Sequence, residues 1–149
     1  MEIERKWLLD KLPDDLPVIK YGLVEQSYIS INPEVRLRKT QFNDETKYYL
    51  TLKGDGGLVR EEVEIELLTQ QYEMLKSFIK KSPIKKEQWI FNLNGYKFEV
   101  SNVDNRFLYG EVEFETIEQA EAFQMPLDKA VEITNNSSHK MKNYWNQFK

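Results

Sequence analysis

The chain has 149 residues, of which 40% are hydrophobic and 31% are charged, and its formal net charge is -4. These values predict one folded domain over residues 1–149 and argue against a general nucleic-acid-binding protein. The sequence has no cysteine and one histidine, which excludes disulfides, thiolate metal sites and a zinc cluster. No apolar run is long enough to span a membrane, and an acidic residue follows Met1, so we expect a cytoplasmic protein without membrane contact.

The first stretch, residues 1–7, places its charges on one face of a predicted strand. Successive side chains of a strand point to opposite faces, so Glu2, Glu4 and Lys6 share a face. Two carboxylates so close together repel each other strongly in a low-dielectric enclosure unless a cation lies between them. The pattern returns as Glu62-Val63-Glu64 and Glu111-Val112-Glu113, and Arg36-Leu37-Arg38 is its basic counterpart. Charges of one sign therefore cluster within strands.

The first half of the chain after this strand predicts further strands joined by tight turns. Residues 8–16 predict a short helical turn, and residues 23–31 and 34–40 predict a hairpin around Asn32-Pro33. Residues 45–53 predict the next strand. The glycine-rich residues 54–57 are followed by a strand and not by Lys-Ser or Lys-Thr, which favours a hairpin turn over a phosphate-binding loop.

The second half predicts four more strands, a short last strand and the helices that cover the sheet. Residues 58–67 predict the fifth strand, and the amphipathic helix predicted over residues 69–81 is expected to cover its apolar back. Asn94-Gly95 predicts a hairpin between strands 84–93 and 96–103, and residues 106–115 predict the eighth strand. A capping box at residues 116–119 begins a short helix, a last strand is expected near residues 130–134, and residues 137–148 predict a helix that covers the sheet.

Eight strands with charged faces, joined mostly by hairpins, predict an α+β fold that is mostly antiparallel β. The expected architecture is a closed eight-stranded β-barrel tunnel with an ionic interior and a few covering helices. The predicted interior acids are Glu2, Glu4, Glu62, Glu64, Glu111 and Glu113, and the predicted interior bases are Lys6, Arg36, Arg38, Lys53, Arg60 and Lys86.

This combination of residue types indicates a particular chemistry. Carboxylates without histidine or cysteine favour hard divalent cations such as Mg²⁺ or Mn²⁺. Arginine and lysine favour phosphate oxygens. Both sets in one tunnel predict a metal-dependent site for a polyphosphate, with hydrolysis of a phosphoanhydride as the reaction.

The ordered motifs resemble those of the CYTH superfamily, the triphosphate tunnel metalloenzymes. Glu2-Ile3-Glu4-Arg5-Lys6 is similar to the ExExK signature of that family, and the resemblance continues through Arg36-Leu37-Arg38, residues 50–53, residues 57–64, Lys86 and residues 110–114. The chain is most similar to the small bacterial inorganic tripolyphosphatases. The resemblance implies that a metal is bound by the acids named above, that Glu2, Glu4, Glu111 and Glu113 are catalytic, and that phosphates are bound by Lys6, Arg36, Arg38, Lys53, Arg60, Lys86 and Lys140.

Two positions depart from the family pattern. Ser101 stands where the family usually has an aspartate, and Gln88 stands where it often has an arginine. The lost carboxylate and the lost cation could offset each other or could weaken metal binding, with Glu99 as a compensating acid. Near the C-terminus, Lys140 is expected to close one mouth of the tunnel and His139 is expected to lie on the surface.

The main hypothesis is therefore the hydrolysis of inorganic tripolyphosphate to pyrophosphate and phosphate. The alternatives are a class IV adenylyl cyclase or thiamine triphosphatase, and a module that binds polyphosphate or nucleotide without turnover. The expected partner is a small-molecule triphosphate, with no nucleic acid and no membrane, and the expected state is a monomer or a homodimer.

Overall fold

A computed structural model describes all residues, Met1–Lys149. The strands are β1 (Glu2–Leu9), β2 (Val18–Ser30), β3 (Glu34–Phe42), β4 (Glu45–Lys53), β5 (Val59–Arg60), β6 (Glu62–Leu67), β7 (Ile84–Leu93), β8 (Tyr96–Val103), β9 (Phe107–Glu113) and β10 (Val131–Glu132). The α-helices are α1 (Thr69–Lys76), α2 (Ile117–Ala122) and α3 (Met141–Phe148), and a 3₁₀ helix spans Ser137–His139. None of the helices is both long and apolar enough to cross a membrane.

The strands form one antiparallel sheet that curls into a nearly closed barrel. The order is β10-β1-β9-β8-β7-β2-β3-β4-β6, and β5 pairs with β1. At the seam, Glu2 pairs with Arg60 of β5 at one end of β1, and Trp7 pairs with Glu132 of β10 at the other end. The predicted fold class is confirmed. The predicted fifth strand is divided into β5 and β6 at Glu61, so one bent segment pairs with both β4 and β1.

The outer face of half the barrel is covered by α2 and the segment that follows it. Trp7, Phe98, Val100 and Val112 form the centre of this apolar cluster and are each at most 2% exposed. As predicted, α2 begins at an N-cap, where Thr116 Oγ1 accepts a hydrogen bond of 3.1 Å from Gln119 N–H. This cluster fixes the orientation of β1 and β9, which carry the acidic residues of the interior.

Helix α3 was expected to cover the sheet, and the structure places it at one end of the barrel instead. Met141, Tyr144 and Trp145 pack with Tyr28 and with Tyr109. Tyr28, Tyr109 and Met141 also line the central cavity. Helix α3 therefore closes that end of the lumen by packing against residues of its inner face. The predicted single helix is also divided, because Lys140 has an extended backbone between the 3₁₀ helix and α3.

Helix α1 is shorter than predicted and leaves much of its neighbouring strands bare. It ends at Lys76 rather than Lys81. The Ser77 hydroxyl donates a hydrogen bond of 2.6 Å to the carbonyl of Met74, so a side chain and not a backbone N–H of a further helical turn is the partner of that carbonyl. The helix buries Tyr72, whereas Val63 and Ile65 on the back of β6 remain 57% and 49% exposed. The expectation that α1 covers those apolar backs is wrong.

Two further boundaries differ from the sequence-based expectation. Residues 10–17 contain no helix, since β1 continues to Leu9 and the chain then bends towards β2. Strand β2 begins at Val18, five residues earlier than predicted, because its first part pairs with the end of β7 at Phe91. The Asn94-Gly95 turn is as predicted, with both residues at positive φ.

Candidate functional site

The inward faces of the strands enclose a cavity of about 380 Å³. All thirteen predicted site residues line it: Glu2, Glu4, Lys6, Arg36, Arg38, Lys53, Arg60, Glu62, Glu64, Lys86, Glu111, Glu113 and Lys140. They are brought together by strand alternation, since each motif presents every second residue to the same side. Cross-strand pairs such as Glu4 with Glu113 and Lys53 with Glu62 place the motifs side by side.

Glu4 and Glu111 form the acidic centre of the cavity. Burial raises the pKa of Glu4 well above its ordinary value, and the nearby charges of Glu111 and Glu2 raise it further. Burial also opposes ionisation of Glu111, but Lys6 and a hydrogen bond with Glu4 lower the pKa of Glu111. The two shifts have opposite directions, so Glu111 is the more acidic of the two carboxyl groups and Glu4 keeps its proton more readily.

Lys53 is the basic residue that contacts Glu2 and Glu62. Its ammonium group lies 3.0 Å from a carboxylate oxygen of Glu2 and 4.0 Å from one of Glu62. Thr51 donates a hydrogen bond of 3.0 Å to Glu64 and orients that carboxylate. Glu2, Glu62 and Glu64 therefore each have a partner within the protein.

Arg36 and Arg38 are different, because neither guanidinium has a protein partner at its Nε. Both Nε atoms are buried without a hydrogen bond, and Arg36 is only 9% exposed. Burial and the charge of Arg36 lower the pKa of Arg38, as expected for two cations held close together. Buried charges are normally paired, so this unsatisfied pair indicates an anion site.

Lys86 and Lys6 are buried beside Tyr109. The Lys86 ammonium donates to the Tyr109 hydroxyl at 2.6 Å and to Gln26 Oε1 at 3.1 Å, and it has no carboxylate partner. Burial and the charges of neighbouring cations lower the pKa of Lys86 well below its ordinary value. Lys6 donates to the carbonyl of His139 at 2.9 Å and lies 4.0 Å from the centre of the Tyr109 ring. The hydrogen-bond partners of both lysines are neutral, although Glu111 also acts on both through its charge, and both remain able to bind an anion.

Arg60 and Lys140 lie near the Gly54–Gly57 turn. Arg60 Nη2 forms an ion pair of 2.7 Å with Glu34, and Arg60 Nε donates to the carbonyl of Gly54 at 3.0 Å. Lys140 donates to the carbonyl of Gly56 at 3.0 Å. The turn is therefore held by two cations of the cavity wall through its backbone oxygens.

Several further residues of this wall were not predicted from the sequence. Glu34, Tyr28 and Tyr109 line the cavity, and His139, expected on the surface, also lines it. Glu34 could have been found, since it shares a strand face with Arg36 and Arg38. The position of His139 depends on the chain between β10 and α3, which has no regular periodicity.

The two departures from the family pattern are neighbours in the structure. Gln88 and Ser101 are cross-strand partners on β7 and β8, and Gln88 Nε2 donates to Ser101 Oγ at 3.2 Å. They are 5% and 0% exposed. The two neutral side chains are therefore hydrogen-bond partners, and the effect of the two departures on metal binding stays a prediction. Glu99 lies on the same face and pairs with Lys97 at 3.1 Å.

The oxygen-only set of carboxylates fits a hard divalent cation by its chemistry. No group of three acidic or histidine side chains converges on a common point suitable for a metal ion. Lys53 supplies positive charge among these acids through its contacts with Glu2 and Glu62. A divalent cation held by the carboxylates would supply further positive charge there.

A barrel lumen that is lined by both carboxylates and basic side chains, with two buried arginines that have no hydrogen-bond partner at Nε, defines a protein of the triphosphate tunnel class. The comparisons with known proteins agree. The chain is 32% identical over 149 residues to an inorganic triphosphatase from Nitrosomonas europaea, an alignment that covers 95% of this chain and 94% of that protein. The chain belongs to the family of that protein, within the CYTH superfamily of triphosphate tunnel enzymes. No family model matches the chain.

Solved structures share the fold over most of the chain. A crystal structure of an inorganic triphosphatase has a TM-score of 0.66 at 28% identity and covers 97% of this chain and 94% of that one. A protein from Pyrococcus horikoshii OT3 has a TM-score of 0.63 at 20% identity and covers 81% of each chain, which shows the fold alone.

Proposed function

We propose that this protein hydrolyses a phosphoanhydride bond of inorganic tripolyphosphate, giving pyrophosphate and phosphate, with Mg²⁺ or Mn²⁺ as cofactor. The observation that carries the proposal is the pair of buried guanidiniums of Arg36 and Arg38, whose Nε atoms have no partner, opposite the carboxylates of Glu4 and Glu111. An anion with several phosphates satisfies the arginines, and a divalent cation satisfies the acids. The triphosphatase relative from Nitrosomonas europaea supports the same reaction.

The residues divide into three roles. Glu2, Glu4, Glu111 and Glu113, with Glu62 and Glu64, would hold the metal. Arg36, Arg38, Lys6 and Lys86 bind the phosphate oxygens, because their partners in the free protein are neutral or absent. Lys53, Arg60 and Lys140 already have protein partners. Lys53 and Lys140 contribute to binding once those contacts rearrange, whereas Arg60 stays paired with Glu34.

The chain's own groups lower the barrier by position and charge. The arginine side chains hold the phosphates in line, and the cations stabilise the negative charge of the transition state. A divalent cation, when bound, neutralises phosphate charge and lowers the pKa of a water molecule. Water adds to one phosphorus atom, the bridging oxygen leaves with its electron pair, and the two protons of water end on the products or in solvent.

The test is phosphate release from tripolyphosphate with Mg²⁺ and then with Mn²⁺, beside ATP and thiamine triphosphate. We expect turnover of tripolyphosphate that falls at least about 100-fold in Glu4→Gln, which corresponds to about 2.7 kcal/mol of transition-state stabilisation. Glu66→Gln is the matched control. Glu66 lies on the face of β6 that carries Glu62 and Glu64, but it is exposed and does not line the cavity.

The same assay separates the alternatives. Cyclic nucleotide and pyrophosphate formed from ATP would replace the proposal by a cyclase. A rise in melting temperature with tripolyphosphate, but no turnover of any substrate, would replace it by a binding module. A cytoplasmic location stays a prediction, which cell fractionation would test.

A further inference from the structure

Glu34 is the one acid on the inward face of β3, and nothing in the proposed reaction uses it. The inward residues of this strand are Glu34, Arg36 and Arg38, at successive steps of two residues. Such steps place Cα atoms about 7 Å apart along a strand. Glu34 is 6% exposed, so its charge is buried in the same lumen as the two arginines.

The three side chains have different partners. Arg36 and Arg38 have unpartnered Nε atoms, whereas Glu34 holds Arg60 in an ion pair of 2.7 Å. Arg60 also donates to Gly54 at 3.0 Å, so its guanidinium is fixed between β3 and the turn. The row of available cations therefore ends at Arg36, and the next position along the row is negative and already paired.

We propose that Glu34 sets the length of the phosphate chain that the tunnel accepts. This inference rests on the proposed function. A triphosphate bound along Arg38 and Arg36 ends before Glu34, whereas a fourth phosphate in the same row approaches the Glu34 carboxylate. Glu34 repels that phosphate and also keeps Arg60 from binding it, because the Arg60 guanidinium is committed to Glu34 and Gly54.

Lys140 is part of the same end of the cavity. Its pKa is lowered by burial and by the charges of Arg60 and Lys142, and Glu34 acts in the opposite direction. Glu34 is thus the buried acid that balances Arg60 and Lys140, and the exposed Asp55 acts on Lys140 in the same direction. Without it, this end of the lumen gains positive charge and becomes a site for an additional phosphate.

The experiment compares kcat/KM for tripolyphosphate and for linear tetrapolyphosphate, from initial rates with products separated by ion-exchange chromatography. We expect the wild-type protein to prefer tripolyphosphate at least ten-fold. Glu34→Gln should reduce that preference at least five-fold, mainly through a lower KM for tetrapolyphosphate. Glu34→Asp keeps the charge and should stay within two-fold of the wild-type preference. Glu66→Gln, which removes the same charge outside the cavity, should also leave the preference within two-fold.

Arg60→Gln is a second variant, for which we expect the opposite change in substrate preference. It leaves the Glu34 charge without its partner, so rejection of tetrapolyphosphate should become at least two-fold stronger. A preference unchanged in a folded Glu34→Gln protein, or weakened in Arg60→Gln, would overturn the role of Glu34.

Binding without turnover separates this inference from the proposed function. Thermal unfolding with each polyphosphate in the presence of EDTA reports binding alone. If neither substrate is hydrolysed but the wild-type protein is stabilised more by tripolyphosphate, and Glu34→Gln loses that difference, the reaction is wrong and the role of Glu34 stands. Equal stabilisation of both proteins by both polyphosphates would overturn the role of Glu34 whatever the hydrolysis assay gives.

Discussion

Under the proposed function, Arg36 and Arg38 would bind the substrate at the expense of the stability of the free protein. Removing charges from water is costly, and replacing buried ionic pairs with apolar side chains of similar size is often neutral or stabilising by about 1–4 kcal/mol. We therefore expect Arg36→Met to keep or raise the free energy of unfolding measured in urea. The same change should raise KM for tripolyphosphate at least ten-fold, which is about 1.4 kcal/mol of lost binding.

Arg5→Met is the matched control for this prediction. Arg5 is also partly buried, but it forms an ion pair of 2.7 Å with Glu132 and donates to the carbonyls of Ala120 and Phe123 at 2.7 Å. Its replacement should destabilise the protein by about 2 kcal/mol or more and leave KM unchanged. A large loss of stability in Arg36→Met would contradict the assignment of Arg36 as a ligand-binding group.

Gln88 and Ser101 give a second prediction for single residues. A new charge at either position is buried beside a neutral partner, so Gln88→Arg and Ser101→Asp should each destabilise the protein by about 3 kcal/mol. In the double variant the two new charges form an ion pair between cross-strand neighbours. Its loss of stability should be at least 1 kcal/mol smaller than the sum of the losses in the two single variants. Urea unfolding of the four proteins measures this coupling, and strict additivity would show that the two side chains act independently.

Among the secondary-structure elements, α3 depends on an anchor in the β8–β9 turn. Asp104 accepts hydrogen bonds from Lys85 N–H at 2.9 Å and from the Tyr144 hydroxyl at 2.7 Å, and it pairs with Lys149 at 3.0 Å. Burial alone raises the pKa of Asp104, but these three donors lower it below its ordinary value. The anchor joins the last helix to the barrel.

The consequence is a loss of stability at acid pH. Because the folded pKa lies below the unfolded value of about 3.9, the contribution of Asp104 is complete above that pH and disappears as the pH falls through the folded pKa. Asp104→Asn should destabilise the protein by about 1–3 kcal/mol at pH 7, with a smaller difference from wild type at pH 3. Asp55→Asn is the control, since Asp55 is 92% exposed and 3.8 Å from Lys142, and should change stability by less than about 0.5 kcal/mol.

For the helices, the sequence predicted the element but not its position on the barrel. The periodicity of Tyr72, Tyr144 and Trp145 correctly predicted helices, but a pattern of apolar residues does not specify which surface a helix covers. Helix α3 covers an apolar cluster inside the barrel end, and α1 leaves Val63 and Ile65 exposed. Both outcomes depend on loop paths that have no local sequence signal.

At the scale of the whole molecule, alternation along the strands was enough to predict the barrel and the residues of its lumen. Pairing within the lumen was not predictable, because it depends on the register between distant strands. Lys53 was expected to bind phosphate, yet β4–β6 pairing and the closure by β5 bring it to Glu2 and Glu62. The inward position of Glu34 was predictable from strand alternation, but its ion pair with Arg60, 26 residues further along the chain, was not.

The lumen is electrically balanced even though the chain has a net charge of -4. Eight carboxylates and eight basic side chains line the cavity, so the excess negative charge lies outside it. A triphosphate alone adds several negative charges beside Glu4 and Glu111, and a divalent cation alone adds positive charge beside the arginines. Each ligand therefore improves the site for the other, and by linkage this coupling is reciprocal.

The prediction is that Mg²⁺ and tripolyphosphate together raise the melting temperature by more than the sum of their separate effects. Each ligand stabilises the folded state in proportion to its binding free energy, so a positive excess measures the coupling. Formation of the complex of Mg²⁺ with tripolyphosphate in solution also changes the sum, and Glu4→Gln controls for it. This variant weakens the metal site and keeps the arginines, so tripolyphosphate should still stabilise it while the excess disappears. An excess of the same size in Glu4→Gln would mean that the coupling arises in solution and that the carboxylates of β1 take no part in it.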